Sequence, residues 1–179
     1  MMNDAMGKDC WEEIRSVMIR GEVDRADEQL AQIIAQSPGE PLAWTLRGAC
    51  LGMQGRLDEA EACFVKALEL DSHLAEAWVG IGNVHYGRGD YDRARDAYLQ
   101  ALRLDRRLWR AYHNLAATYR KLGLANKART AWRRARHLEY VELVAVRGNR
   151  EGAGCGTYAV LTLTGLLGVL AGVILVLGF

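Results

Sequence analysis

The fold is decided by residues 75–108, which read AEAWVGIGNVHYGRGDYDRARDAYLQALRLDRRL. In the first half, apolar residues recur at intervals of three and four, as on one face of a helix, and Gly89 then interrupts the pattern. In the second half, Ala94, Tyr98 and Ala101 share one helical face. The segment therefore predicts two antiparallel helices joined by a tight turn, in which Gly89 adopts a left-handed conformation.

The same pattern recurs three times at a spacing of 34 residues. Each copy holds a large aromatic residue, a turn glycine, a second aromatic residue and two alanines. These positions are Trp44, Trp78 and Tyr112; Gly55, Gly89 and Gly123; Ala60, Ala94 and Ala128; Phe64, Tyr98 and Trp132; and Ala67, Ala101 and Ala135. A period of this length with these residue types resembles the tetratricopeptide repeat, in which small alanines let two helices approach closely.

This resemblance implies an all-α solenoid of helical hairpins. We expect repeats at residues 7–40, 41–74, 75–108 and 109–142. The first is degenerate, because Cys10 replaces the first aromatic residue and Leu30 replaces the second. Terminal repeats are often atypical, since one of their faces meets solvent. We expect the last helix to continue to residue 146, and four glycines in residues 147–156 then predict a flexible hinge.

Residues 157–179 form an apolar segment without a charged side chain. A helix needs ~20 apolar residues to cross a bilayer, so the segment predicts a single transmembrane helix. Arg147 and Arg150 precede the segment, and no lysine or arginine follows it. The positive-inside rule therefore predicts that the repeats lie in the cytoplasm, as in a tail-anchored, single-pass membrane protein.

Small residues predict close helix packing within this segment. Thr164, Gly168 and Gly172 are four residues apart and share one helical face, and the two glycines form a GxxxG motif. Such a face lets a second transmembrane helix approach closely, which predicts a homodimer or contact with other membrane subunits. The motif also arises by chance in glycine-rich spans, and this alternative stays open.

Composition and motifs argue against several classes of protein. The net charge of +1 argues against a dedicated nucleic-acid binder. No phosphate-binding loop, nucleophile elbow or HExxH motif occurs, so neither an enzyme nor a cofactor is expected. Cys10, Cys50, Cys63 and Cys155 lack the CxxC spacing of a metal site and are expected to be reduced thiols. His85 stands at a core position of the repeat and is expected to be packed rather than to bind metal.

Members of this family bind partners mainly in a concave groove lined by the first helix of each repeat. The resemblance implies that a peptide or helix of a protein partner lies there. The implied groove residues are Glu76, Val79, Asn83 and Tyr86; Arg110, His113, Ala117, Arg120 and Lys121; and Leu42, Thr45, Ala49 and Met53. One subclass clamps the C-terminal carboxylate of chaperones, and Asn83 and Asn114 fit its asparagine positions. Val79 stands where that clamp has a lysine, so chaperone-tail binding is not expected.

The last repeat carries a basic set with two interpretations. Its members are Arg110, Arg120, Lys121, Arg129, Arg133, Arg134 and Arg136. One interpretation is a solvated face that helps to set membrane topology. The other is attraction to anionic lipid headgroups or to an acidic partner. Trp44, Trp78 and Trp132 are expected in the core, whereas Trp11 and Trp109 either pack at repeat junctions or are exposed in the groove.

Together these features predict a membrane-anchored scaffold, adaptor or assembly factor that binds a protein partner at the cytoplasmic face of a membrane. The alternative is an accessory subunit of an integral membrane complex, held mainly by its transmembrane helix. The two hypotheses differ in the main contact, which is the groove in the first and the span in the second.

Overall fold

The computed structural model describes the backbone of residues 8–152 and the side chains of residues 10–145. The helices in this part of the chain follow one another as helical hairpins. The helices are α1 (Lys8–Ile19), α2 (Val23–Gln36), α3 (Pro41–Met53), α4 (Leu57–Leu70), α5 (Ala75–Gly87), α6 (Tyr91–Leu104), α7 (Trp109–Lys121) and α8 (Ala125–Gly152). The predicted all-α solenoid of hairpins is confirmed for the described residues. Residues up to Leu138 form one compact unit, and a second unit begins at Glu139.

The C-terminal predictions fall mostly outside the described residues. Helix α8 runs to Gly152 and so includes residues 147–152 of the segment for which the sequence predicts a flexible hinge. None of the helices described between residues 8 and 152 is long and apolar enough to cross a membrane. The predicted span at residues 157–179, with its helix-packing face of Thr164, Gly168 and Gly172, lies beyond the part of the chain that the structure describes.

Glycine makes the turn inside each hairpin, as the sequence predicts. Gly21, Gly55, Gly89 and Gly123 have φ angles of 81°, 78°, 81° and 73°. These angles lie in the left-handed region of backbone conformation. A residue with a Cβ atom adopts this conformation only at a cost in free energy. The four hairpins therefore share one turn geometry at a spacing of 34 residues.

The hairpins pack in a regular order along the chain. Helix α4 contacts both α3 and α5, and α6 contacts both α5 and α7, so each of these two second helices lies between two first helices. The alanine ladders permit this close approach, since Ala60, Ala67, Ala94 and Ala101 are all fully buried. The first helices also contact one another, because α3 packs against α5 and α5 against α7. These first helices thus form one continuous surface.

Aromatic rings from the second helices fill notches that glycines leave on the first helices. A Cβ atom built at Gly80 would lie 2.3 Å from the ring of Phe64, and one built at Gly48 would lie 2.8 Å from the same ring. At Gly82 the Cβ atom would lie 2.5 Å from the ring of Tyr98. Gly80 and Gly82 are therefore packing residues, and the phenyl ring of Phe64 is held between α3 and α5.

Trp132 corrects one prediction from the repeat pattern. It stands at the position of Phe64 and Tyr98 and was expected in the core, yet 46% of its surface is exposed. Phe64 and Tyr98 are buried because the next repeat packs over them, and the described residues contain no further repeat after α8. The ring of Trp132 is instead covered on one side by the guanidinium of Arg136, with 5.0 Å between the Cζ atom and the ring centroid.

Candidate functional site

The candidate site is the surface formed by α3, α5 and α7, which we call the groove. The first helices contact their neighbours directly, whereas α4 and α6 make at most a weak contact with each other. A row of hairpins that is closer on one side than on the other is concave on the closer side. The groove is therefore the inner surface of the array between α3 and α7.

The middle of the groove is formed by α5, where the structure places four predicted residues. Glu76 and Asn83 are exposed, and Val79 and Tyr86 are half-buried. All four lie on the same helix, so the helical repeat brings them to one side. This side offers one carboxylate, one amide, one apolar side chain and one phenol to a bound partner.

A polar network fixes the side chain of Asn83 in the groove. The hydroxyl of Tyr98 in α6 donates a hydrogen bond to Asn83 Oδ1 at 2.7 Å, and Asn114 Nδ2 in α7 donates to the same oxygen at 2.8 Å. With its oxygen used twice, Asn83 presents its Nδ2 group, which makes no hydrogen bond to another described residue. Burial raises the pKa of Tyr98, so its hydroxyl keeps its proton and remains a donor.

An aromatic and cationic cluster lies at the carboxyl ends of α5 and α7. The rings of Tyr86 and Tyr91 meet edge to face, with their centroids 5.4 Å apart and their planes at 64°. Lys121 Nζ lies 6.0 Å from the centroid of the Tyr91 ring. Offset and edge-to-face aromatic pairs contribute beyond their buried area, and a cation over a ring adds electrostatic attraction. These contacts fix the side chains of the cluster, which forms one end of the groove.

The α7 side of the groove is cationic. Arg110, His113, Arg120 and Lys121 are all exposed, as the groove assignment requires. The Cζ atom of Arg110 lies 5.4 Å from the ring centroid of Trp109, which is half-buried. A partner that approaches this side therefore meets positive charge with aromatic support.

The α3 side contributes less than the sequence predicts. Thr45 was expected in the groove but is buried, with 6% of its surface exposed. Its Oγ1 donates a hydrogen bond to the carbonyl oxygen of Pro41 one turn earlier, at 2.9 Å, which keeps the hydroxyl within its own helix. Met53 is exposed, whereas Leu42 and Ala49 are half-buried. Thr45 is therefore removed from the set of candidate contacts.

Two other predictions from the sequence concern tryptophan and histidine. Trp11 packs against the buried cluster of the first two hairpins, which agrees with a place at a repeat junction. His85 is largely buried, and its Nε2 lies 3.8 Å from Glu61 of α4. Within the described residues, no group of three or more histidine, cysteine, aspartate or glutamate side chains is arranged to hold a metal ion.

Sequence reasoning missed two residues of the site. The sequence marks Tyr98 only as the second aromatic residue of its repeat, yet its hydroxyl orients Asn83. Tyr91 carried no repeat signal, and its ring is brought to the groove by its place at the first turn of α6. The preceding repeat has Phe64 at the position of Tyr98. The additional hydroxyl of tyrosine was the one feature of the sequence that could have indicated its hydrogen bond to Asn83.

Comparison with family models and with solved structures identifies the same kind of helical repeat. Two tetratricopeptide repeat models match residues 40–107 and 79–138, which together span more than half of the chain. The crystal structure of MamA is 22% identical, with a TM-score of 0.61 over 73% of this chain and 76% of that one. MamA 41-end from Desulfovibrio magneticus RS-1 is 16% identical, with a TM-score of 0.61 over 73% of this chain and 74% of that one.

A third solved structure carries a ligand. The first repeat domain of Spaghetti (RPAP3), bound to the HSP90 peptide SRMEEVD, is 19% identical, with a TM-score of 0.57 over 63% of this chain and 89% of that one. No curated protein matched the sequence. At such low identity, similarity to these solved structures shows the fold alone. Membership of the family rests on the match of the sequence to the two family models. Through residues 40–138, the chain belongs to the tetratricopeptide repeat family.

Proposed function

We propose that the protein is an interaction scaffold that holds an extended segment of a protein partner in the groove. The observation that carries this proposal is the network around Asn83, which is exposed yet held in one orientation by hydrogen bonds from two neighbouring helices. A fixed amide donor on a concave surface suits the backbone carbonyl of an extended peptide, because little conformational entropy is lost when it binds.

The charges around Asn83 define the chemistry of the proposed partner. Arg110, Arg120 and Lys121 favour acidic side chains on the α7 side, whereas Glu76 favours a basic or polar residue beside α5. Val79 and Tyr86 give apolar contact between these charges. A chaperone C-terminus is not the proposed ligand, because Val79 occupies the position where the carboxylate clamp has a lysine.

We further propose that residues 157–179 anchor the scaffold to a membrane, with the repeats on the cytoplasmic side. The support is the uncharged apolar length of this segment and the arginines that precede it. An accessory subunit of an integral membrane complex is the second candidate. It is favoured by the face of Thr164, Gly168 and Gly172, which permits close approach of another transmembrane helix.

Affinity capture with matched charge variants tests the groove. The full-length chain and its R120E/K121E variant are used to capture partners from native membranes, and R129E/R133E serves as the control. The control pair makes the same charge change at exposed positions of α8 that are outside the groove. We expect the groove pair to lose the partner and the control pair to retain it. Equal retention by both variants would move the binding site to another surface or to the span.

A second pair of variants separates the two candidate functions. G168I/G172I keeps the segment apolar while it blocks close helix packing. A scaffold that binds through the groove keeps its partner in this variant. A chain that still inserts into the membrane but leaves its assembly is instead a subunit held by its span.

A further inference from the structure

The last hairpin has a second, open recess outside the groove. It is a cleft of about 910 Å³ between α7, α8 and the loop that precedes α7. Its lining residues are Arg106, Arg107, Tyr112, Leu115, Tyr119, Asn126, Lys127, Thr130, Ala131 and Arg134. This volume is close to the upper end of the range of about 300–1,000 Å³ that is typical of ligand sites, and it is far larger than a single ion needs.

The cleft is separate from the groove. Its residues on α7 are Tyr112, Leu115 and Tyr119, whereas the groove uses residues such as Arg110 and His113. Successive residues of a helix are rotated by ~100°, so these two sets lie on roughly opposite sides of α7. An occupant of the cleft would therefore leave the groove open.

The charge of the cleft is entirely positive. Arg106, Arg107, Lys127 and Arg134 line it, and residues 106–138 contain no aspartate or glutamate. Among the described residues, none of these four cations takes part in an ion pair. The carboxylate of Asp105 accepts a hydrogen bond from the backbone N–H of Arg107 at 2.7 Å, but it does not line the cleft. The four cations of the lining repel one another, and an anionic ligand relieves that repulsion.

The preceding repeat has a different charge pattern at the same positions. There Asp92 and Asp96 occupy the positions of Asn126 and Thr130, and both pair with Arg95, at 2.6 Å and 2.8 Å. In the last repeat both carboxylates are replaced by neutral polar side chains. The absence of acidic groups from the cleft is therefore particular to this hairpin, and it is not a general property of the repeat.

The cleft also offers apolar surface between its charges. Leu115 is buried at its floor, and the rings of Tyr112 and Tyr119 are half-buried in its wall. Lys127 Nζ lies 5.8 Å from the centroid of the Tyr119 ring, which holds this cation beside the aromatic wall. The four cations are exposed, whereas Leu115 is buried and the two tyrosines are half-buried, so a ligand that contacts both kinds of surface needs acidic and apolar groups in one segment.

We propose that this cleft is a second binding site, which takes a segment of a protein partner with alternating acidic and apolar residues. Carboxylates of the segment pair with the arginines, which match them in planar, two-point hydrogen bonds. Its apolar side chains lie against the two tyrosines and Leu115. The proposal goes beyond the groove function and does not depend on it.

Fluorescence anisotropy with a defined probe tests the proposal. The probe is a labelled peptide of alternating glutamate and leucine, added to the full-length chain in neutral detergent, and a glutamine-for-glutamate peptide is the matched control ligand. We expect the acidic peptide to bind and the neutral one to bind much more weakly, with an affinity that falls as salt is added. Equal binding of the two peptides would overturn the proposal.

Matched variants locate the site. R106Q/R134Q should weaken binding about tenfold or more, since two charge-assisted contacts are lost. R129Q/R133Q removes the same charge from exposed positions of α8 outside the cleft and should change the affinity by less than about twofold. Equal weakening by both pairs would mean attraction to the basic surface as a whole, and loss of binding in N83A would place the peptide in the groove. Either result would overturn the proposal.

Two further experiments test the site if the arginine variant unfolds, and distinguish a peptide ligand from a lipid. T130D restores the carboxylate that the preceding repeat carries at this position, and it should weaken peptide binding even if R106Q/R134Q unfolds. Mixed micelles with phosphatidylserine replace the peptide in a parallel titration, against phosphatidylcholine as the control. Phosphatidylserine binding that depends on Arg106 and Arg134, without peptide binding, would make the cleft a lipid site and refute the peptide proposal.

Discussion

The notch that holds the Phe64 ring predicts a large effect from adding one methyl group. In Gly80→Ala, the new Cβ atom would lie 2.3 Å from two ring atoms, whereas ordinary contact begins at 3.4 Å. The ring has little room to yield, because the same edge lies 2.8 Å from the Cβ position of Gly48 on α3. Movement away from α5 therefore drives the ring into α3.

The size of the effect follows from two opposing terms. Overpacking of a closely packed core lowers the free energy of unfolding by about 1–3 kcal/mol. The higher helix propensity of alanine relative to glycine raises it by about 0.8–1 kcal/mol. We expect Gly80→Ala to lower the free energy of unfolding by up to about 2 kcal/mol. Gly52→Ala is the matched control, since no atom outside its chain neighbours and its own helix backbone lies within 4 Å of its Cβ position, and it should be neutral or stabilising by up to about 1 kcal/mol.

Urea unfolding followed by tryptophan fluorescence measures the difference. Trp44 and Trp78 pack against the cluster that contains Phe64, so they report on this region. With a slope of about 1–3 kcal/mol per molar urea, the two alanine variants should differ in midpoint by about 1 M. In a Phe64→Leu background the cost of Gly80→Ala should largely disappear, because the ring that the methyl group meets is gone. A midpoint for Gly80→Ala at or above that of Gly52→Ala would refute the packing described here.

Four further predictions address the core, the network, the thiols and the anchor. Ala94→Leu, at a fully buried position between helices, should cost about 1–3 kcal/mol in urea unfolding, and an unchanged midpoint would contradict the close approach of α5 and α6. Tyr98→Phe should cost about 0.5–1.5 kcal/mol by the same assay, because it removes the hydrogen bond to Asn83. Burial raises the pKa of the Cys50 thiol from 9.0 to about 11, so the unfolded chain loses this proton first as pH rises. Stability should therefore decrease between these pH values, and urea midpoints should fall less in Cys50→Ala than in the native chain. A chain that ends at Arg150 should stay soluble and helical by circular dichroism, because the hairpins bury their own core; precipitation or loss of helix would contradict this.

The hairpin array could be predicted from the sequence because its determinants are local. A glycine in each turn and alanines at each helix crossing repeat at a fixed spacing, and a period is visible without knowledge of any contact. The burial of Ala60 and Ala94 and the positive φ angle of Gly89 follow directly from it. The exposure of Trp132 does not, because burial at that position depends on whether another repeat follows.

The details of the site depend on contacts between side chains far apart in sequence. The pattern placed Asn83 in the groove but did not indicate that Tyr98 and Asn114 would share its oxygen. Thr45 occupies a groove position in register, and only the structure shows its hydroxyl turned back onto Pro41. Periodicity therefore predicts the helix face, whereas hydrogen bonds decide which groups on it are free to bind.

The rings that join neighbouring hairpins also give the array a fixed order. Phe64 packs against Gly80, the sixth residue of the repeat that follows it, and Tyr98 lies beside Asn114 at the same register. Excision of residues 75–108 would keep every helix in frame, yet it would set the phenyl ring of Phe64 against the amide of Asn114, which would have lost its hydrogen-bond acceptor Asn83. Hairpins of equal length and equal turn geometry are therefore not exchangeable parts. Gain or loss of a whole repeat, the simplest way for such a chain to change length, requires a paired substitution at the new junction.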